Sequence, residues 1–156
     1  MMLAGLLLCM TETLSTCVPY LVPDPILSAV RANTGLSMAV QLNPAYLRGD
    51  FDGDGRSDYM VLAAPSAGDL VLLVCWGSGS SETVSPRQIV GAPPAMRFDF
   101  DGWEVIDSQA REYYCFEDVK PRPMGDEVVV IWAERGGGYL YRSAGSWHWY
   151  TGMDEP

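Results

Sequence analysis

Gly49-Asp50-Phe51-Asp52-Gly53-Asp54-Gly55-Arg56-Ser57-Asp58 runs directly into Tyr59-Met60-Val61-Leu62-Ala63-Ala64. Counted from Asp50, acids stand at positions 1, 3, 5 and 9, with glycine at position 6. Carboxylates this close repel one another unless a cation sits among them. Alternate acids on a tightly curved backbone point inward together. Calcium, a hard cation taking six to eight oxygens, suits such a ring; magnesium fits less well because it keeps its waters and a rigid octahedron. Asp50, Asp52 and Asp54 are expected to give carboxylate oxygens, Arg56 its backbone carbonyl, and Asp58 the closing oxygen, directly or through water. Gly55 permits the sharp turn, and Gly53 tolerates unusual dihedrals. The competing reading is a solvated acidic turn, since Asp and Gly are common turn residues.

The flanks decide between helices and strands. A helix-loop-helix site wants a bidentate acid at position 12, and that position is Val61, inside a strand-like run. The incoming residues 42–48 contain Pro44 and make a poor helix. The loop is therefore expected between β-strands. Beyond it, residues 70–76 form a nearly continuous apolar run, as in a strand buried on both faces, and Ala67-Gly68-Asp69 reads as the hairpin connection.

With those residues in view, the segment 49–59 resembles the calcium loop of FG-GAP or VCBS repeats, the D-x-D-x-D-G-x-x-D pattern that integrin α-subunits carry. The resemblance implies that the metal staples a hairpin between adjacent strands. It covers the loop and its flanks, not the whole chain. One copy in 156 residues is too little for the multi-bladed propeller that such repeats usually build. Asp99-Phe100-Asp101-Gly102 looks like a damaged second copy, with Trp103 where a third acid would stand, and is read as a turn.

Working outward, Asp24-Pro25 opens a short helix, with Asp24 as N-cap and Pro25 at the first helical position. Gly35 closes it. Strands are expected over 38–42, 59–64, 70–76, 103–106, 113–116, 127–134, 139–142 and 146–150, with a weak one over 88–90. Residues 120–125 carry two prolines and read as irregular, and Gly136-Gly137-Gly138 reads as a flexible turn. The fold class is mainly β: a small antiparallel domain with one short N-terminal helix, and not a complete propeller.

Composition bounds the function. Twenty acids against ten bases give a net charge of −10, with no Lys or Arg cluster, so nucleic acid is an unfit partner. A basic protein partner fits electrostatically, although acidity also serves solubility alone. Residues 3–10 are apolar but too short to span a bilayer. Followed by the Thr- and Ser-rich residues 11–17, they resemble a signal peptide, despite the absence of a preceding basic residue and the presence of Glu12. Leu14-Ser15-Thr16-Cys17 also resembles a lipoprotein box, which would put a lipid anchor on Cys17; an ordinary buried helix is the alternative. The export reading makes residues 1–17 a signal and 18–156 a single β-rich calcium-binding domain, periplasmic or secreted. It leaves Cys75 and Cys115 as a disulfide pair or as two buried thiols.

Other residues carry weaker signals. Arg48-Gly49-Asp50 spells an adhesion triplet, but Asp50 is claimed by the metal. His148 lies in Trp147-His148-Trp149-Tyr150 with no Gly-x-Ser-x-Gly elsewhere, so a packed role is expected over a catalytic one. Acid pairs such as Glu104 with Asp107, or Glu127 with Glu134, have no spacing that selects glycosidase work. Trp132, Tyr139, Tyr141, Trp147, Trp149 and Tyr150 suit either strand packing or a binding face. The resulting expectation is a non-enzymatic calcium-binding protein of the bacterial envelope. An inhibitor or immunity protein against a cell-wall hydrolase is its narrower form, and a calcium-stabilised glycan hydrolase is the rival.

Overall fold

The structure, a computed structural model, describes residues 22–107, 124–125, 127–133 and 136–153. Among the described residues one α-helix, α1 (Asp24–Ala32), precedes two antiparallel sheets. The first sheet holds β1 (Leu36–Met38), β2 (Tyr46–Gly49), β3 (Asp58–Pro65), β4 (Val71–Cys75) and β5 (Ser81–Val84). The second holds β6 (Gly102–Asp107), β7 (Glu127–Ala133), β8 (Gly136–Ser143) and β9 (Ser146–Met153) as a meander. The architecture is mainly antiparallel β with one short helix; both sheets are open, and neither a closed barrel nor a propeller forms. Among the described residues no helix is long and apolar enough to cross a membrane.

β3 organises the first sheet. It pairs with β4 along one side, while β2 takes the first half of its other side and β1 the second half. Its unbroken apolar run is explained by burial on both faces. Val61 and Ala63, with Leu73 and Cys75 of β4, face α1, where Ile26 and Ala29 close a small core. Met60 and Leu62, with Leu72 and Val74, face the other way into the main core. There they meet Phe98, Phe100 and Trp103 from the β6 region, and Ile131, Leu140 and Trp147 of the second sheet. The layers are thus helix, sheet, sheet.

Several element boundaries differ from expectation. α1 starts one residue earlier than expected: Pro23 is the N-cap, and Asp24 is in the first turn, where its charge still suits the helix dipole. Gly35 lies beyond the Asn33 C-cap at φ +91° and turns the chain into β1. β1 ends at Met38, where a strand over 38–42 was expected. β5 lies where no strand is expected, because Ser81, Glu82 and Thr83 lack an apolar signature. Residues 86–88 form a single 3-10 turn, and Val90 makes one parallel bridge to His148. Gly136, Gly137 and Gly138 belong to β8 and do not form a turn. At Gly138 a Cβ would run into the Trp149 ring and the Tyr150 carbonyl, so glycine is what lets β9 approach. The turn between β8 and β9 is Ala144-Gly145, both at positive φ, the two-residue hairpin geometry. The strand expected over 113–116, and the leader residues 1–17, lie outside the described residues.

Candidate metal centre

β2 and β3 are a hairpin whose last pair is Gly49 opposite Asp58, so residues 50–57 form the loop at its tip. The strand pairing expected around the acidic run is therefore present. Gly53 and Gly55 take φ of +77° and +81° and curl the backbone inward. Their surroundings differ. A Cβ on Gly55 would meet nothing within 4 Å, whereas one on Gly53 would collide with the Met124 carbonyl.

The acids bind the loop's own amides. Asp50 Oδ1 accepts from the N–H groups of Gly53 at 2.9 Å and Asp54 at 3.1 Å, and its Oδ2 accepts from Gly55 at 2.9 Å. Asp52 Oδ1 accepts from Asp54 N–H at 3.1 Å. Asp58 is fully buried, at 0 % exposure. Its two oxygens accept from Phe51 N–H at 2.9 Å and Gly77 N–H at 2.7 Å. Asp58 thereby ties the loop to the turn after β4. Burial pushes its carboxyl above the usual carboxylate range; the two amide bonds oppose this, and the charges of Asp52 and Asp50 add to it.

Carboxylate oxygens of Asp50, Asp52 and Asp58 lie within 4.8 Å of one another, close enough to share one ion. The donor set fits a hard cation. All three donors are carboxylate oxygens, and Asp50 Oδ2 and both Asp58 oxygens accept one amide each, which leaves a lone pair for an ion. Asp54 does not join this group. Its Oδ1 accepts from Arg56 N–H at 2.8 Å, and Oδ2 lies 3.8 Å from the Arg56 guanidinium. The position-5 acid is on the exposed rim of the loop.

The loop is anchored by packing as well as by polar bonds. Phe51 is buried in the main core with its ring 6.4 Å from Trp147 of β9. Gly125 packs so closely on the Asp50 carbonyl that it has no room for a side chain. Asp107, at the end of β6, borders the same hollow of about 510 Å³ as Arg48, Asp50 and Arg56. Sequence reasoning weighed Asp107 only as half of an acid pair. With an odd spacing along β6, Glu104 and Asp107 point to opposite faces and do not converge.

The remaining singled-out residues have ordinary roles. The Arg48 guanidinium donates to Ser57 Oγ at 3.1 and 2.8 Å across the hairpin. His148 stacks on Tyr141 with centroids 5.4 Å apart, and its Nε2 lies 3.2 Å from the Ser143 carbonyl. Cys75 is a buried free thiol facing α1, and burial pushes it up to about 11. Its expected partner, Cys115, lies outside the described residues. The aromatic cluster divides: Trp147 and Trp149 join the main core, while Tyr139, Tyr141 and Tyr150 gather with Ile106 on the opposite face of the second sheet. One constellation had no signal in the sequence. Glu82 of β5 accepts from Trp147 Nε1 at 2.8 Å and from Arg142 at 3.2 Å, while the Arg142 guanidinium lies 4.3 Å over the Trp76 ring.

No family model, curated protein or solved structure matches the chain.

Proposed function

We propose that this protein is an exported, non-enzymatic binding protein whose fold is completed by one calcium ion in the β2–β3 loop. The observation that carries the metal reading is the meeting of Asp50, Asp52 and Asp58 within 4.8 Å around a carboxylate with no solvent exposure. A buried, charge-repelled acid is costly by itself, and a divalent ion reverses the sign of that cost. Calcium is favoured over magnesium because a ring of several carboxylate and carbonyl oxygens replaces most of the ion's water, which magnesium gives up reluctantly. Asp54 and the Arg56 carbonyl complete the proposed ligand set, Asp54 by turning from its present contact with Arg56.

The role of the metal is structural. The loop it would fix carries Phe51 into the core and Asp58 onto Gly77, so ligation stiffens the junction of the two sheets. A net charge of −10 suits a basic partner; a cell-wall hydrolase of the bacterial envelope is the narrower partner that size, export and acidity together suggest. Capture from an envelope extract, with and without chelator, tests the pair of ideas. A basic protein retained in calcium and lost on chelation supports them. Turnover of a glycan substrate with no protein retained favours the hydrolase reading.

A further inference from the structure

At the end of β3 opposite the aspartate loop, the β3–β4 turn and the connection leaving β5 enclose a cavity of about 630 Å³. That volume lies within the roughly 300–1,000 Å³ of small-ligand sites. Its floor is apolar. Ile89 is buried in the main core, and Leu70, Ala92 and Met96 pack against it. Hydrogen bonds brace its walls. Ser85 N–H donates to Gln88 Oε1 at 2.7 Å around a turn opened by Pro86. Met96 N–H donates to the Pro93 carbonyl at 2.9 Å. Arg97 bonds Asp69 at 2.7 Å and ties one lip of the cavity to the other.

The charge of the cavity runs against that of the molecule. Arg87 and Arg97, two of only ten bases, line it with a single acid, Asp69. Asp69 engages Arg97, while Arg87 has no hydrogen-bond or ion-pair partner among the described residues. One uncommitted guanidinium over an apolar floor matches a ligand with one anionic end. We propose that this cavity binds a small organic carboxylate with an apolar body. The Arg87 guanidinium grips the carboxylate in its two-pronged geometry. The body lies on Leu70, Ile89 and Met96. A phosphate monoester fits less well, since its second charge would find only an arginine already engaged by Asp69. The cavity's lining residue Val71 pairs with Ala63, five steps along β3 from Asp58, and the strand ends seven steps away, so about 16–23 Å separate the two and the site does not depend on the metal reading.

The test is methyl NMR on the full chain, titrated with 4-phenylbutyrate and, separately, with 4-phenylbutan-1-ol, which has the same body without the charge. Saturable shifts at the Ile89 and Met96 methyls are expected with the acid, in the millimolar range ordinary for so small a ligand. The alcohol should bind about tenfold more weakly, and Arg87→Gln should weaken the acid about tenfold with an unchanged melting temperature. No shift at those methyls up to about 10 mM acid would overturn the proposal. So would equal binding of acid and alcohol, or an Arg87→Gln variant that binds the acid as the native chain does.

Discussion

Asp58 and Asp54 are both acids of one loop, yet their surroundings assign them different weights. Asp58 has no exposure and satisfies two amides, from Phe51 and Gly77. Asp58→Ala leaves both donors without acceptors, at a cost of about 2–4 kcal/mol, and should abolish calcium binding. Asp54→Asn, on the exposed rim, should cost less than about 0.5 kcal/mol of folding stability and weaken calcium about tenfold. Urea unfolding and calcium titration of the two variants check this contrast. Cys75 gives the pH dependence. Its thiol titrates near 11 in the folded chain against an ordinary 9.0, because burial disfavours the thiolate. The fold therefore holds the proton that the unfolded chain releases first. The contribution is complete below pH 9 and is lost as pH rises toward 11, a loss on the order of 2–3 kcal/mol. Cys75→Ala should flatten that alkaline limb in urea melts. At pH 8 the native thiol should react with Ellman's reagent far more slowly than in the unfolded chain.

Among elements, the β2–β3 hairpin is the best-specified by sequence. Alternating acids, the glycine at position 6 and the apolar run after Asp58 all point to a loop between strands, and β2 and β3 flank it. Gly53 and Gly55 carry the same dihedral need but unequal space. Gly55→Ala should cost about 1 kcal/mol, the strain of a left-handed alanine alone. Gly53→Ala adds a collision with the Met124 backbone and should cost at least about 2 kcal/mol; thermal melts of the pair separate strain from collision. What sequence reasoning missed are features decided at a distance. β5 has no apolar alternation because one of its inward positions is Glu82, whose acceptor serves Trp147 and Arg142 from the other sheet. The three glycines of β8 look like a turn until the Trp149 ring is placed against Gly138. Local propensity cannot see either partner. Likewise, the sequence marks five ligand positions, but only the structure separates Asp54 from the three acids that already converge.

At the largest scale, the described residues form two open sheets and a helix, joined where the aspartate loop, the β4–β5 turn and the β8–β9 hairpin meet. Phe51, Trp76 and Trp147 form the apolar part of that junction, and the Glu82–Arg142 pair is its polar part. Glu82→Ala leaves a buried indole N–H and a guanidinium without their acceptor, so a loss of about 1–3 kcal/mol is expected, seen as a lower urea midpoint and a changed tryptophan emission. The arrangement would also make the proposed metal binding a property of the whole fold. At free calcium a hundredfold above the dissociation constant, ligation adds ~2.7 kcal/mol, which for a chain of this size corresponds to a rise of about 5–10 °C in Tm. Isothermal titration of the chelator-stripped chain with calcium chloride, paired with melts in calcium and in chelator, is the most direct measurement. The account expects one ion per chain and a Tm that falls on chelation. A flat titration with identical melting curves would contradict it and leave the four aspartates as an acidic turn held by its own amide hydrogen bonds.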